Sequence, residues 1–248
     1  NQIRIAIEAE AVLGILSYPA FSHDIFNYIF DARTAVFHHA NPYTSTALMF
    51  PTDDWTRFMQ WTHRTYPYGP IFLPMSFVFY ILGFGKFLLT LVSFKFFMVL
   101  AYLGSCYVIY KMAGKKGLIF FGLNPLVIYE AVVAGHLDII MLFFALYAIY
   151  KKNWLAYLIS VGIKYATILN PPFIKNVKIL ILLAYVGAIA QIGSRELLPH
   201  YFLVPLGFSA LATRSKALVS FGIVLSVVLI ILRYTQFLLT GNWLTVGL

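Results

Sequence analysis

The chain has 248 residues, 61% of them hydrophobic and 18% aromatic, but only 11% charged, with mean hydropathy +0.82. A soluble domain would carry about a quarter charged residues, so the composition excludes one and indicates a helical membrane protein; the apolar runs are continuous rather than alternating, which sets aside a β-barrel. The net charge of +9 comes largely from basic groups between apolar runs, at 111–116, 151–152, 175–178 and 214–216, the pattern of cytoplasmic loops and not of a nucleic-acid-binding face.

In chain order, residues 3–21 read as one apolar helix with Glu8 and Glu10 near its start. Residues 22–69 form the long polar stretch, with four of the nine acids and four of the six histidines. A loop this long in a compact membrane protein is usually functional. Taken as a helix, 22–37 puts Ile25, Phe26, Ile29, Phe30, Val36 and Phe37 on one face. Asp24, Asn27, Asp31 and Thr34 fall on the other. That is an amphipathic helix lying at a membrane surface, with Ser22 as N-cap and Asp24 in the first turn. Pro42, Pro67 and Pro70 fix turns in "ANPYTS" (40–45) and "TYPYGPIF" (65–72), where Gly69 permits unusual backbone angles. Tyr43, Trp55, Trp61, Tyr66 and Tyr68 suit either lipid headgroups or stacking on sugar rings.

Apolar runs follow at about 70–84, 87–110, 118–134, 137–150, 154–170, 179–192, 201–212 and 217–239. Several fall short of the roughly 20 residues of a straight span, and Gly83-Phe84-Gly85 and Asn170-Pro171-Pro172 interrupt the series. Broken or re-entrant helices are expected. Two full spans between 70 and 110 would return the chain to the side of 22–69 and put Lys111–Lys116 on the wrong face. Either one run is not a full span or this loop breaks the charge rule. Cys106, inside an apolar run, reads as a packed small side chain. The expected organisation is one transmembrane domain over 1–248, truncated at one or both ends, with 22–69 as its catalytic loop.

Ionisable groups in apolar sequence are costly and mark functional candidates. In "NPLVIYEAVVAGHLDIIMLFF" (124–144) these are Glu130, His136 and Asp138. Gly135 suggests a turn just before His136. His136 and Asp138, two apart, would share a metal only through that turn; a hydrogen-bonded pair holding the turn is the simpler reading. Lys164, in "SVGIKYATILNPPF", either snorkels or meets a phosphate. In "SRELLPHYFLVPL" (194–206), Arg195 either pairs with Glu196 at the surface or faces a phosphate. Asp24 is either a helix-start residue or a base, and Asp31 either a partner of Arg33 or Arg64 or a second acid.

The order of these blocks, from Ser22 to about Leu211, resembles the polyprenol-phosphate-dependent integral membrane glycosyltransferases of the GT-C type, in particular bacterial polyprenol-phosphate-mannose mannosyltransferases. The resemblance implies an all-α, polytopic transmembrane helical bundle with a long first extracytoplasmic loop carrying an interfacial helix. It implies a multi-pass plasma-membrane enzyme with its active site on the extracytoplasmic side. A sugar, mannose by resemblance, would pass from a polyprenyl-phosphate donor to a glycan or glycolipid acceptor, with inversion. The family's first-loop aspartate maps to Asp24 as base and its second acidic site to Asp138. Asp31 is an extra acid, which leaves open which aspartate acts. Asn27 and Tyr28 would orient the acceptor, and Arg64, Lys164 and Arg195 would stabilise the leaving phosphate. Tyr66, Tyr68, Glu130, His136 and His200 complete the expected substrate-binding set. No cofactor is required, although a divalent cation is compatible with the reaction. The rival is a multi-pass transporter or lipid flippase with Glu8, Glu10 and Lys164 as coupling charges; the lack of an internal repeat counts against it.

Overall fold

The computed structural model describes residues 2–192 and 197–240, and these contain helices and loops but no strand. α1 (Gln2–Leu16) ends before the expected limit at residue 21, because Pro19 disfavours helical backbone at Tyr18. Its carboxyl end is held by Lys95, a fully buried lysine whose ammonium donates to the Ser17 carbonyl and, at 2.9 Å, to the Ser17 hydroxyl. A cation there is favoured by the helix dipole.

α2 (Asp24–Val36) forms where expected; the flanking cap residue is His23 and not Ser22, whose hydroxyl accepts from the Asp24 backbone N–H at 3.4 Å and is bonded to the His136 ring at 2.9 Å. Asn27, Tyr28 and Thr34 are buried along with Ile25 and Phe26, while Asp24 and Asp31 are half-buried. The two faces differ in what covers them: Asp24, Asn27 and Asp31 border a cavity, whereas the chain beyond α2 folds back over the apolar face. Phe50 and Phe58 from that segment pack on Phe30 and Phe26.

α3 (Phe72–Ile81) has ten residues, about 15 Å of helix and too short to span a bilayer. It packs on α2. Tyr80 near its end accepts a hydrogen bond from Arg33 at 2.9 Å, and Phe87, the first residue of the next helix, stacks on Phe58 at 4.1 Å. The chain therefore returns to the 22–69 layer before the long helix begins, so the run at 70–84 is not a full span.

That long helix, α4 (Phe87–Gly122), turns sharply at Gly114, whose φ is +69°. The part beyond it folds back, since the Tyr102 hydroxyl donates to the Gly122 carbonyl at 2.6 Å. α5 (Pro125–Val133) starts from the side-chain cap of Asn124, becomes π-helical over Ile128–Val133, and meets α6 (Asp138–Lys151) at a bend of 112°. Gly135 sits in that break with φ +72°, a conformation costly for other residues. α7 (Trp154–Ile163), α8 (Val177–Ile192) and α9 (Leu203–Ser209) follow. α10 (Lys216–Ile230) continues through a second π-helical segment (Ile231–Thr235) into α11 (Gln236–Thr240). Among the described residues two helices are long and apolar enough to cross a membrane, and α5 with α6 would make a third.

The basic groups collect at one end. Met112, Gly114, Lys178 and Arg214 line one cavity there, and Arg4, Lys111 and Lys115 line a neighbouring groove. The 22–69 segment, the α5–α6 break and Lys164 lie at the other end. One apolar core, from Ile7 to Leu229, joins the two ends.

Candidate active site

At the end away from the basic groups a cavity of about 220 Å³ opens between α2, the 59–68 loop, Lys164 and residues 198–201. Asp24, Asn27 and Asp31 line it from α2, and Trp61 and Arg64 from the loop. A close backbone contact fixes the loop's exit. Gly69 donates to the Ile163 carbonyl at 3.0 Å and Ile71 to the Gly162 carbonyl at 2.9 Å. A Cβ on Gly69 would stand 2.1 Å from the Gly162 carbonyl oxygen, so "YPYGP" needs its glycine. Tyr66 donates to the Gly69 carbonyl at 3.0 Å and lies outside the cavity lining, as a buttress of this turn. Tyr68 does line it, edge-on to Tyr28 at 5.2 Å.

Asp24 is held loosely. Trp61 donates its indole N–H to one carboxylate oxygen at 3.3 Å, and the His136 ring nitrogen stands 3.4 Å from the other. Burial alone would raise this carboxyl. The hydrogen bond and charge of His136, the Trp61 bond and the charge of Lys164 outweigh burial and hold it below the ordinary carboxylate range. Asp31, two turns on, is the opposite case: burial pushes it up to about 8. Neither expected arginine pairs with it. Arg33 turns to Asp53, and Arg64 lies over the Trp61 ring at 4.0 Å. Asn27 presents a buried side-chain oxygen with no partner among the described residues.

His136 and Asp138 do not pair with each other. The His136 Nδ1 faces the Glu130 carboxylate at 2.9 Å, while Asp138 takes two bonds from Lys164, at 2.8 and 3.1 Å. The Lys164 ammonium also lies over the Tyr201 ring at 4.8 Å. The residues that approach a metal-ligand arrangement are Asp24, His136 and His200, with ligand atoms within 4.8 Å of one another. The two imidazoles are stacked at 4.1 Å and 23°. Arg195 lies outside the described residues.

The profile of the alpha-(1->6)-mannopyranosyltransferase N-terminal domain matches residues 13–190. The chain belongs to this family. It is a glycosyltransferase, a mannosyltransferase of the GT-C type, and its apolar helices are those of a membrane protein. No curated protein and no solved structure matches it. The matched range of the mannosyltransferase takes in Asp24, Glu130, His136, Asp138 and Lys164; His200 and Tyr234 lie beyond it. The sequence pointed to the charged residues of the site. It gave no sign of what Trp61 does, nor of Tyr234, whose hydroxyl donates to the buried Glu130.

Proposed function

We propose that this mannosyltransferase moves mannose from a polyprenyl-phosphate donor to a glycan or glycolipid hydroxyl, with Asp24 as general base. The observation that carries the reading is the contrast inside the cavity. Asp24 is ionised, loosely held and exposed to the space, and the Lys164 cation stands within its electrostatic reach. A base must reach the hydroxyl proton, and a phosphate leaving group needs a cation.

The acceptor hydroxyl gives its proton to Asp24 while its oxygen attacks the anomeric carbon. The bond from that carbon to the phosphate oxygen breaks, and the electron pair leaves with the lipid phosphate. Lys164 meets the developing charge. Asp138 holds Lys164 in place and is not the base. Asp31, neutral at pH 7, donates to a sugar hydroxyl, as Asn27 accepts from one. A single displacement inverts the anomeric carbon. An α-(1→6) product, which the family's description names, then requires a β-linked mannosyl phosphate. The basic end faces the cytoplasm and the cavity the opposite side, where the membrane carries the lipid donor. Family membership favours this over a transporter, in which Glu8, Glu10 and Lys164 would carry coupling charge; Lys164 is already committed to Asp138, and Glu8 to Arg4 at 2.7 Å.

Membranes containing the protein, given radiolabelled polyprenyl-phosphate-mannose and a glycolipid fraction, test the reading. Label transfer should fall by roughly 10²–10⁴-fold in Asp24→Asn, with donor binding kept. Undiminished transfer by that variant would remove Asp24 as the base.

A further inference from the structure

We propose that Glu130, His136 and Tyr234 form a buried positioning chain that fixes the Asp24 carboxylate. The inference rests on Asp24 being the base.

Glu130 and His136 are expected from sequence to touch substrate. Neither lines the sugar-sized cavity. Glu130 is fully buried and His136 nearly so. The Nδ1 of His136 hydrogen-bonds to the Glu130 carbonyl at 3.1 Å and stands 2.9 Å from the Glu130 carboxylate, an ion-pair contact. That commits Nδ1 to carrying a proton and leaves Nε2 as the nitrogen facing Asp24 at 3.4 Å and Ser22 at 2.9 Å. Stacking on His200 at 4.1 Å fixes the ring plane. Behind it, Tyr234 donates to the second oxygen of Glu130. The order Tyr234, Glu130, His136, Asp24 therefore runs from the last helices to the cavity wall.

The backbone supports a built device. Glu130 lies in one of the two π-helical segments (Ile128–Val133) and Tyr234 in the other (Ile231–Thr235). Such segments are rare and occur often at functional sites. Here the two meet, with Tyr129 and Tyr234 rings 4.7 Å apart and Phe21 packed on both. The two widened turns carry the donor and the acceptor of the Tyr234–Glu130 hydrogen bond. A side cavity of about 40 Å³, bounded by Asp24, Glu130, His136, Arg233 and Tyr234, is large enough for water.

The test uses the full chain in membranes, with kcat, donor KM and the pH dependence of kcat measured for Glu130→Gln, His136→Gln and Tyr234→Phe. Asp24 faces His136 and His200, Trp61 and Arg64 of the loop, the Lys164–Asp138 pair, Glu130 and Arg233 across the side cavity, and His23 and Asp31 of its own segment. Of these the variants change only the His136 side. Glu130→Gln and His136→Gln should lower kcat by about 10- to 100-fold with donor KM unchanged. The acid limb of the profile should move to higher pH, because Asp24 loses the cation that keeps it ionised. Tyr234→Phe, which removes one hydroxyl and should fold, should move the limb the same way by less. A raised KM with kcat intact would make these residues substrate contacts, and a lowered kcat with an unmoved limb would make them structural; either result overturns the proposal. Asp24→Asn run beside them separates the two failures: transfer surviving that change overturns the base assignment, whereas transfer lost in Asp24→Asn but normal in the other three overturns the positioning chain alone.

Discussion

Two aspartates of the same segment have the same kinds of neighbour and opposite characters. Asp53 and Asp24 each have a histidine and a tryptophan beside them. Asp53 accepts from Arg33 at 2.6 Å, His38 at 2.7 Å and the Trp55 backbone N–H at 3.1 Å. Burial works against its charge, but these donors hold it below the ordinary carboxylate range. Arg33 is itself sandwiched, 4.0 Å from the Phe37 ring and 4.2 Å from that of Trp55. Nothing is left for a ligand. Asp24 has longer contacts with Trp61 and His136, 3.3 and 3.4 Å, and a cavity in front of it. A carboxylate saturated by short bonds holds a fold together, and one held by long bonds beside open space is available for chemistry.

The largest effect should come from exchanging the two tests. Asp24→Asn should remove roughly 10²–10⁴-fold of turnover while the thermal midpoint stays within a degree or two of wild type. Asp53→Asn should do the reverse. It strands Arg33 without its carboxylate and should cost about 3 kcal/mol of stability, with the remaining folded enzyme still turning over. Thermal unfolding and single-turnover transfer on both variants decide it, and a stability loss in Asp24→Asn equal to that in Asp53→Asn would dissolve the distinction. Next in size is Lys164. Lys164→Met should weaken donor binding by roughly tenfold or more, the scale of one charged hydrogen bond, and Asp138→Asn should show the same donor defect because it frees the ammonium from its place. Equilibrium binding of the lipid-linked donor checks both; loss of turnover in Asp138→Asn with binding intact would instead return Asp138 to the list of bases.

What the sequence disclosed follows from cost. A charge in apolar sequence is expensive, and so Glu130, Asp138 and Lys164 stood out, while Asp24 stood out as the first-turn acid of an amphipathic helix. Gly135 announced the break in the span by its residue type alone. Partnership was not legible. Glu130 and Tyr234 are 104 residues apart, Lys164 and Asp138 26 apart, and only the fold makes neighbours of them. The expected His136–Asp138 pair failed for that reason: adjacent positions look like partners in sequence, but the bend sends each to a different wall. Lys95 passed unnoticed within its apolar run although it is fully buried at the end of α1. Hydropathy likewise cannot tell a helix buried in protein from one buried in lipid, which is why α3 read as part of a span.

Asp31 gives the smallest effect and the sharpest comparison, because it shares both helix and cavity with Asp24. Burial raises it from 3.8 to about 8 without a partnering cation. A carboxyl whose folded value lies above its unfolded value costs nothing while both states are protonated. The cost then grows as pH rises, because the unfolded chain gives up its proton before the folded one does. It stops growing once the folded group ionises as well. The stability of wild type relative to Asp31→Asn should therefore decline steadily from about pH 4 to about pH 8 and then level off. Thermal unfolding of the two proteins across that window reads the difference directly. Parallel curves would mean that Asp31 is ionised throughout, and Asp24 would lose its standing as the one charged carboxylate facing the sugar. A steady decline of wild type relative to Asp31→Asn across that window, with Asp31→Asn still turning over at pH 7, would leave the proton transfer to Asp24 and the hydroxyl contact to Asp31.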